Sequence, residues 1–494
     1  MPSLSLPSWQ WLPALLIGLI CLALPLPLAV GALGGLAVLA AVLSQPLVGV
    51  VLALFLGPLG AWEKIFVGGP IAAITTGQLM LMLTTAAWIG RNLLRGKLVL
   101  PRTPLNAPLL LFLLVATFSL WNATAPGDGI NELIKWLQML LVLWIVLDLA
   151  REYPLPRVIG ATLAVLIGVG VVQGVWGIWQ FVLRGTGPGH FRIMEGLYRA
   201  TGSFQQPNPF GGFLALALCL AVGVIIGRIG QNLAHTPLTS RALLHTLRSD
   251  RLLLLVLAAA GLIFLGLIGS WSRGAWLNFL FGMGVLAFFL PRRTGRGLAL
   301  ISALAAAGLL IQALGLAPEA VSDRLIGFVD DFNLENVRTA AITPQNYAVM
   351  ERLAHWEAAL GMARSDLWTG VGFGNFNARY DEFRLPYWQE ALGHAHNYYL
   401  NLLAETGLFG LLAYLLLWGV IFWQTWRVTR VQEPLARGVA LGLLAGWSGM
   451  TFHHLLDNLY VNNMGIYFGV LFALLFMLQF ATGLRKTGPN RPIR

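Results

Sequence analysis

Long apolar runs alternate along the chain with short, arginine-bearing breaks. About 20 apolar residues in a helix cover the roughly 30 Å of hydrocarbon in a bilayer. Runs of that kind fall near 72–90, 105–121, 131–149, 158–183, 209–227, 252–270, 274–290, 298–316, 398–423, 438–455 and 461–482. Upstream, 12–44 reads as one proline-kinked helix or as two short ones broken around Pro25 and Pro27, with another span at 46–62. The pattern predicts an all-α polytopic membrane protein of about 12–14 transmembrane helices. The opening MPSLSLPSWQW lacks the basic start of a cleavable signal, so its first apolar run is expected to be a retained span.

One stretch breaks the alternation. Residues 317–397 carry most of the acidic side chains, and segments such as ERLAHWEAALGMAR read as amphipathic helices lying on or near the membrane face. A connection of this length is expected to be a functional loop. The chain therefore divides into an N-terminal bundle (1–316), a loop domain (317–397) and C-terminal helices with a tail (398–494).

Composition agrees: 57% of residues are hydrophobic and only 11% charged, with a mean hydropathy of +0.73. A soluble domain, a long disordered region and a nucleic-acid-binding domain are all excluded. The 32 basic and 21 acidic residues leave an excess of positive charge that marks topology rather than nucleic acid, because cytoplasmic loops collect Lys and Arg. Basic clusters at 91–102, 151–157, 228–251, 292–296, 427–437 and 485–494 alternate with the basic-poor segments 122–130 and 454–460, with 184–208 and with the long loop 317–397. These four segments are expected outside the cytoplasmic (inner) membrane and the C-terminus inside. Cys21 and Cys219 lie far apart in apolar runs and encode neither a disulfide framework nor a thiolate metal site. The 18 tryptophans fall mostly where interfacial belts place them.

No charged residue falls near the centre of a span: Lys135 and Asp148 lie close to span ends, and Gln173, Gln180, Asn278 and Gln312 are the main interior polar groups. Ion-coupled transport normally uses intramembrane charges, so their absence counts against that role. Three residues on the expected outer face stand out instead. Arg273, in GSWSRGAW, is held between two closely spaced spans. Arg352 opens the ERLAHW helix, and His396, in HAHNYYLNLLAETGLFG, sits where the loop re-enters the membrane. Interfacial arginines often snorkel to lipid headgroups. Two arginines with a histidine at one leaflet also make a set able to grip a pyrophosphate and to supply a base with an ordinary pKa of about 6.5.

His396 and Asn397, followed after nine residues by Gly407 and then by Gly410, form an H[NSQ]x9GxxG-type signature. Together with SRGAW, the Arg352 helix and the GVGFGNF run, this pattern resembles the O-antigen ligase/polymerase superfamily over about 199–457. The resemblance implies a GT-C-like membrane glycosyltransferase with functional residues at Arg273, Arg352 and His396. It also implies a donor glycan on undecaprenyl diphosphate, a lipid or glycan acceptor in a setting of membrane lipids, inversion at the anomeric carbon, and no metal or other cofactor. Ligase, polymerase and, as proposed for some related proteins of photosynthetic bacteria, an inorganic-carbon transporter remain the three readings, with the ligase favoured by its histidine signature.

Arg199, Gln206 and Asn208, at the outer end of a span, read either as structural capping or as lining for the glycan or phosphate path; with Asn397 they complete the expected substrate-binding set. His394 and His396 have HxH spacing, but a third ligand is not apparent nearby and a helix start is expected to turn the two rings apart, leaving His394 a packing role. His453, His454 and Asp457 are expected to hydrogen-bond across helix ends. Gly370, Gly372 and Gly374 lack the strand-to-helix setting of a phosphate loop and read as a tight turn packing the loop domain onto the spans. Asp330 and Asp331 are adjacent but lack the surroundings of a metal-binding acidic pair.

Overall fold

The computed structural model describes residues 24–61, 65–66, 73–96, 100–234, 239–316, 337–338, 342–343 and 346–485. The start of the first apolar run, Cys21, Asp330, Asp331 and the basic tail beyond Arg485 lie outside them. In chain order the helices are α1 (Leu26–Ser44), α2 (Pro46–Leu56), α3 (Thr76–Leu94), α4 (Asn106–Ser119), α5 (Pro126–Ala150), α6 (Leu155–Ile178), α7 (Pro207–Asn232), α8 (Ser240–Ser249), α9 (Arg251–Gly269), α10 (Arg273–Phe289), α11 (Thr294–Ala313), α12 (Tyr347–Ser365), α13 (Phe376–Phe383), α14 (Tyr398–Thr429), α15 (Pro434–His453) and α16 (Met464–Ala481). Two short antiparallel hairpins complete the described structure. The chain is an all-α polytopic membrane protein.

Among the described residues, eight helices are long and apolar enough to cross a membrane: α1, α5, α6 with the π-turn that continues it, α7, α9, α11, α14 and α16. Three shorter apolar segments, built on α2, α4 and α10, pack among them. Helices α3 and α15 are as long but less apolar. The interior of α15 is rich in small residues, and it pairs more extensively with α7 than any other two helices pair. A Cβ on Gly438 would stand 2.4 Å from the Gly227 nitrogen, and one on Gly223 would stand 2.6 Å from the Gly438 carbonyl oxygen. Glycine-to-glycine approach of this kind substitutes close backbone packing for hydrophobicity. The early run breaks at Gln45, between α1 and α2, where Pro46 begins a new helix.

Among the described residues, the basic clusters lie at one end of the bundle and the segments 122–130, 184–208 and 454–460 at the other. At the basic end, Arg91 and Arg95 pair with Glu152, Arg228 pairs with Asp250 at 2.6 Å, and Arg437 donates to the Leu290 carbonyl at 2.6 Å. At the other end, Asn122 donates to Asp366, Thr369 and the Gly370 carbonyl at 2.7 to 3.0 Å, joining the loop domain to the segment between α4 and α5. The interior glutamines serve this end too. Gln173 accepts from the Ser203 amide and Gln180 from the Thr201 and Gly202 amides, holding 201–203 against the top of α6.

The glycine-rich run is the tight turn expected. Gly370, Gly372 and Gly374 all have positive φ (70°, 107° and 73°), and the turn docks against a break in α14 at Gly407. There Val371 and Gly372 donate to the carbonyls of Ala404 and Glu405, while Leu408 and Phe409 donate to those of Leu367 and Trp368. The Glu405 carboxylate accepts from the Phe376 amide at 3.0 Å. The broken helix thus has its backbone polar groups met by the loop domain, as burial demands. Beyond the break, 408–429 suffices on its own to cross roughly 30 Å of hydrocarbon, which leaves 398–406 as a short helix at the membrane boundary.

Candidate active site

Five separate elements converge beside that short helix. Asn397 starts it: the side-chain oxygen accepts from the amides of Tyr399 and Leu400, both at 3.1 Å. A cap of this type stabilises a helix by about 1 kcal/mol. Just before it, His396 has φ +51°, a left-handed conformation sterically disfavoured for a residue with a Cβ. The signature spacing therefore encodes a helix with a fixed start at Asn397, a stop at Gly407 and an imidazole ring at its entrance.

The two rings of the HxH pair do not turn apart, which corrects the sequence expectation. Their centroids are 4.5 Å apart, edge to face, because the left-handed turn at His396 folds the chain back on itself. Asp457, after α15, is the third group: His394 Nε2 lies 3.6 Å and His396 Nδ1 3.9 Å from its Oδ1. Tertiary contact brings it there, through the Tyr398 amide, which donates to the His454 carbonyl at 2.8 Å and ties the start of α14 to the end of α15.

These three side chains have the count and closeness of a metal site, but the hydrogen bonding does not fit one. His394 Nδ1 accepts the His396 backbone N–H at 3.0 Å, so the ring's own proton sits on Nε2, the nitrogen a metal would need. A ligating histidine normally donates from its other nitrogen, and here that nitrogen faces a donor.

A polar chain runs outward from Asp457. Asn208, in the first turn of α7, donates to Asp457 Oδ2 at 2.9 Å, and its carbonyl oxygen accepts from Arg199 Nη2 at 3.0 Å and from Ser272 Oγ at 2.9 Å. Arg199 Nε also donates to the Ser270 carbonyl at 3.2 Å. Ser272 caps α10, and Arg273, half-buried, is its first residue. A Cβ on Gly274 would meet His453 Nε2 at 2.7 Å, so the glycine of SRGAW lets α10 start against the end of α15. Gln206 stays apart: it is exposed at the start of α7, and its side chain makes no capping bond. His453 lies beside Asn278 at 3.3 Å and His454 beside the Tyr414 hydroxyl at 3.2 Å, bridging helices as expected.

From the loop domain, α12 contributes Arg352 and His355. His355 nitrogens lie 2.7 and 3.1 Å from the carbonyls of Glu351 and Glu390, and its ring stacks on Tyr380, 5.4 Å from the His396 ring. It ties α12 to the segment that leads into His394. Arg352 Nη1 donates to the Ala348 carbonyl, whereas its buried Nε and both His396 ring nitrogens have no hydrogen-bond partner among the described residues. Burial, helped by the positive fields of His394 and Arg352, pushes His396 down to about 3, so its imidazole is neutral at ordinary pH. Burial alone would raise the Asp457 carboxyl, but the facing histidines and Arg352 outweigh it and hold the group down to about 2, as an anion.

The site thus joins a neutral imidazole with two open nitrogens, a buried carboxylate and guanidinium charge, which suits proton removal from a hydroxyl beside a bound anion. His396, Arg352, Arg199 and Asn208 are brought together; Arg273 adjoins the network through Ser272; Asn397 acts as a cap. Asp457 and His394 join the set that the sequence points to, and the sequence signal for Asp457 is its place beside two histidines in a short segment without Lys or Arg.

No curated protein matches the chain. Residues 258–415, from α9 through the loop domain to the first half of α14, match the model of the family described as O-antigen ligase. That stretch contains Arg273, Arg352, His394 and His396 on the scaffold just described, and the match supports the O-antigen ligase/polymerase superfamily as the one that this part of the chain resembles.

Proposed function

We propose that this protein is a ligase-type glycosyltransferase. It moves a glycan from undecaprenyl diphosphate to an acceptor hydroxyl at the outer face of the cytoplasmic membrane. The observation that carries this reading is the convergence of His396, whose ring nitrogens have no hydrogen-bond partner among the described residues, with Arg352 and Asp457. The acceptor oxygen attacks the anomeric carbon as the carbon–oxygen bond to diphosphate breaks, so the centre inverts. The acceptor's proton passes to His396, and the electron pair of the broken bond leaves with the diphosphate. Arg352 and Arg273 stabilise the charge that develops there, and Asp457 stabilises the imidazolium.

The deciding experiment incubates the purified protein with a labelled undecaprenyl-diphosphate glycan and candidate acceptors. The expected product is a single glycan joined to the acceptor with inverted configuration, in excess chelator as in magnesium. Chains of repeat units would mean a polymerase. A requirement for added metal would overturn the arginine-based mechanism.

If both arginines grip diphosphate, Arg352→Lys and Arg273→Lys should be nearly as damaging as the alanine variants, because lysine keeps the charge but loses the planar fork. Steady-state transfer rates at matched expression decide it: near-normal transfer by the lysine variants would return both residues to snorkelling. The outward placement has its own check. With the native cysteines replaced, an impermeant maleimide should label Thr186→Cys but not Thr294→Cys in intact cells, and the reverse pattern would invert the topology.

A further inference from the structure

His394 is the residue that the mechanism above leaves without a task, although its ring is bonded on one side and faces a carboxylate on the other. Its Nδ1 accepts the N–H of His396 at 3.0 Å, a side-chain-to-backbone bond across two residues like that of an Asx-turn. Its Nε2 points to Asp457 Oδ1 at 3.6 Å. The backbone that it closes on is left-handed at His396 (φ 51°), and the approach to it is left-handed at Leu392 and Gly393 (50° and 86°), a conformation disfavoured for Leu392 and His396, which carry a Cβ. A left-handed residue carrying a Cβ persists only where its surroundings over-determine it. Three contacts do so here: the His394 bond, the edge-to-face ring contact at 4.5 Å, and the Asn397 cap that follows.

We propose that His394 is a positioning residue, whose Nδ1 holds the His396 N–H and so keeps His396 in the left-handed turn that presents its ring to the acceptor hydroxyl, while its Nε2–H, aimed at Asp457, fixes the tautomer. The inference rests on His396 being the base. It assigns a different job to each histidine of the pair: His396 exchanges the proton, and His394 sets where that exchange happens. A ring of the opposite tautomer, or one protonated on both nitrogens, would set a donor against the His396 N–H and release the turn.

Asparagine separates this role from simple packing. Its side-chain oxygen reaches the N–H two residues on, as Nδ1 does, but it fills less space and lacks the ring. His394→Ala should lower kcat on the order of 100-fold, the scale of an ångström-sized misplacement, with the donor KM little changed. His394→Asn should recover most of that loss. Wild-type-like kcat in His394→Ala would overturn the proposal, as would a folded His394→Asn no better than His394→Ala. If the alanine variant does not fold, the asparagine variant alone still decides between activity and inactivity. Ring nitrogen shifts of ¹⁵N-histidine-labelled protein give a test without turnover: His394 should carry its proton on Nε2 with Nδ1 bare, and a proton on Nδ1 would refute the assignment. The two readings fail differently, because absent transfer by the wild type sinks the glycosyltransferase reading, whereas an active His394→Ala beside an inactive His396→Ala sinks only this one.

Discussion

Replacing His396 with alanine should lower kcat by about 10²–10⁴-fold, the usual worth of a positioned general base, while binding of the lipid-linked donor survives. The ring makes no hydrogen bond within the protein, so its removal leaves no buried partner unsatisfied and folding should be little affected. The pH profile carries a second signature. In the free enzyme, burial and the fields of His394 and Arg352 hold the His396 imidazole well below its ordinary value. A bound diphosphate brings negative charge beside the ring, favours the imidazolium and moves the value up. Because kcat/KM reports the free enzyme and kcat the complex, the acid limb of kcat should lie at higher pH than that of kcat/KM. Coincident limbs would mean that the diphosphate does not sit beside the ring, and a His396→Ala variant that loses donor affinity in step with turnover would make the residue a diphosphate ligand instead of a base.

The second large effect is structural. In Gly407→Ala, the new Cβ would lie 2.3 Å from the backbone carbonyl of Trp368, at a position whose φ is +63°. The left-handed penalty and the overpacking together cost about 2–5 kcal/mol, and neither is relieved by rotating a side chain, because the atoms in the way are backbone. The 366–372 turn should detach from α14, exposing it to protease and taking Arg352 and His355 away from His396. Gly419→Ala, later in the same helix with nothing within 4 Å of its Cβ, should be neutral or slightly stabilising. Equal thermal stability and equal protease resistance in the two variants would show that the break in α14 does not anchor the loop domain.

These two residues illustrate different kinds of legibility. Gly407 is visible in the sequence as part of a spacing, but its reason for being glycine is a contact with Trp368, 39 positions earlier in numbering. His396 is visible both as an outer-face histidine and through the signature, yet the sequence offers no sign of its backbone conformation. Helix starts such as Asn397 and Ser272 are legible because a cap acts on the next three residues. The interior glutamines of α6 and the π-turn that continues it look like isolated polar defects in an apolar run; only the folded chain shows that they hold the 201–203 segment that leads into Asn208.

The positions of the apolar helices, their membrane setting and the sorting of arginines to one end were determined by the sequence alone, since each depends on run length, local periodicity or the count of charges in a loop. Which of the outer-end polar groups meet is settled only in the folded chain. Asp457 reaches His394 and His396 because α14 begins where α15 ends, and Asn208 reaches Asp457 because the glycine faces of α7 and α15 pack backbone to backbone. Such meetings depend on helix–helix approach over distances that no local pattern encodes, and the left-handed turn that faces the two histidine rings toward one carboxylate is stabilised by those same non-local contacts.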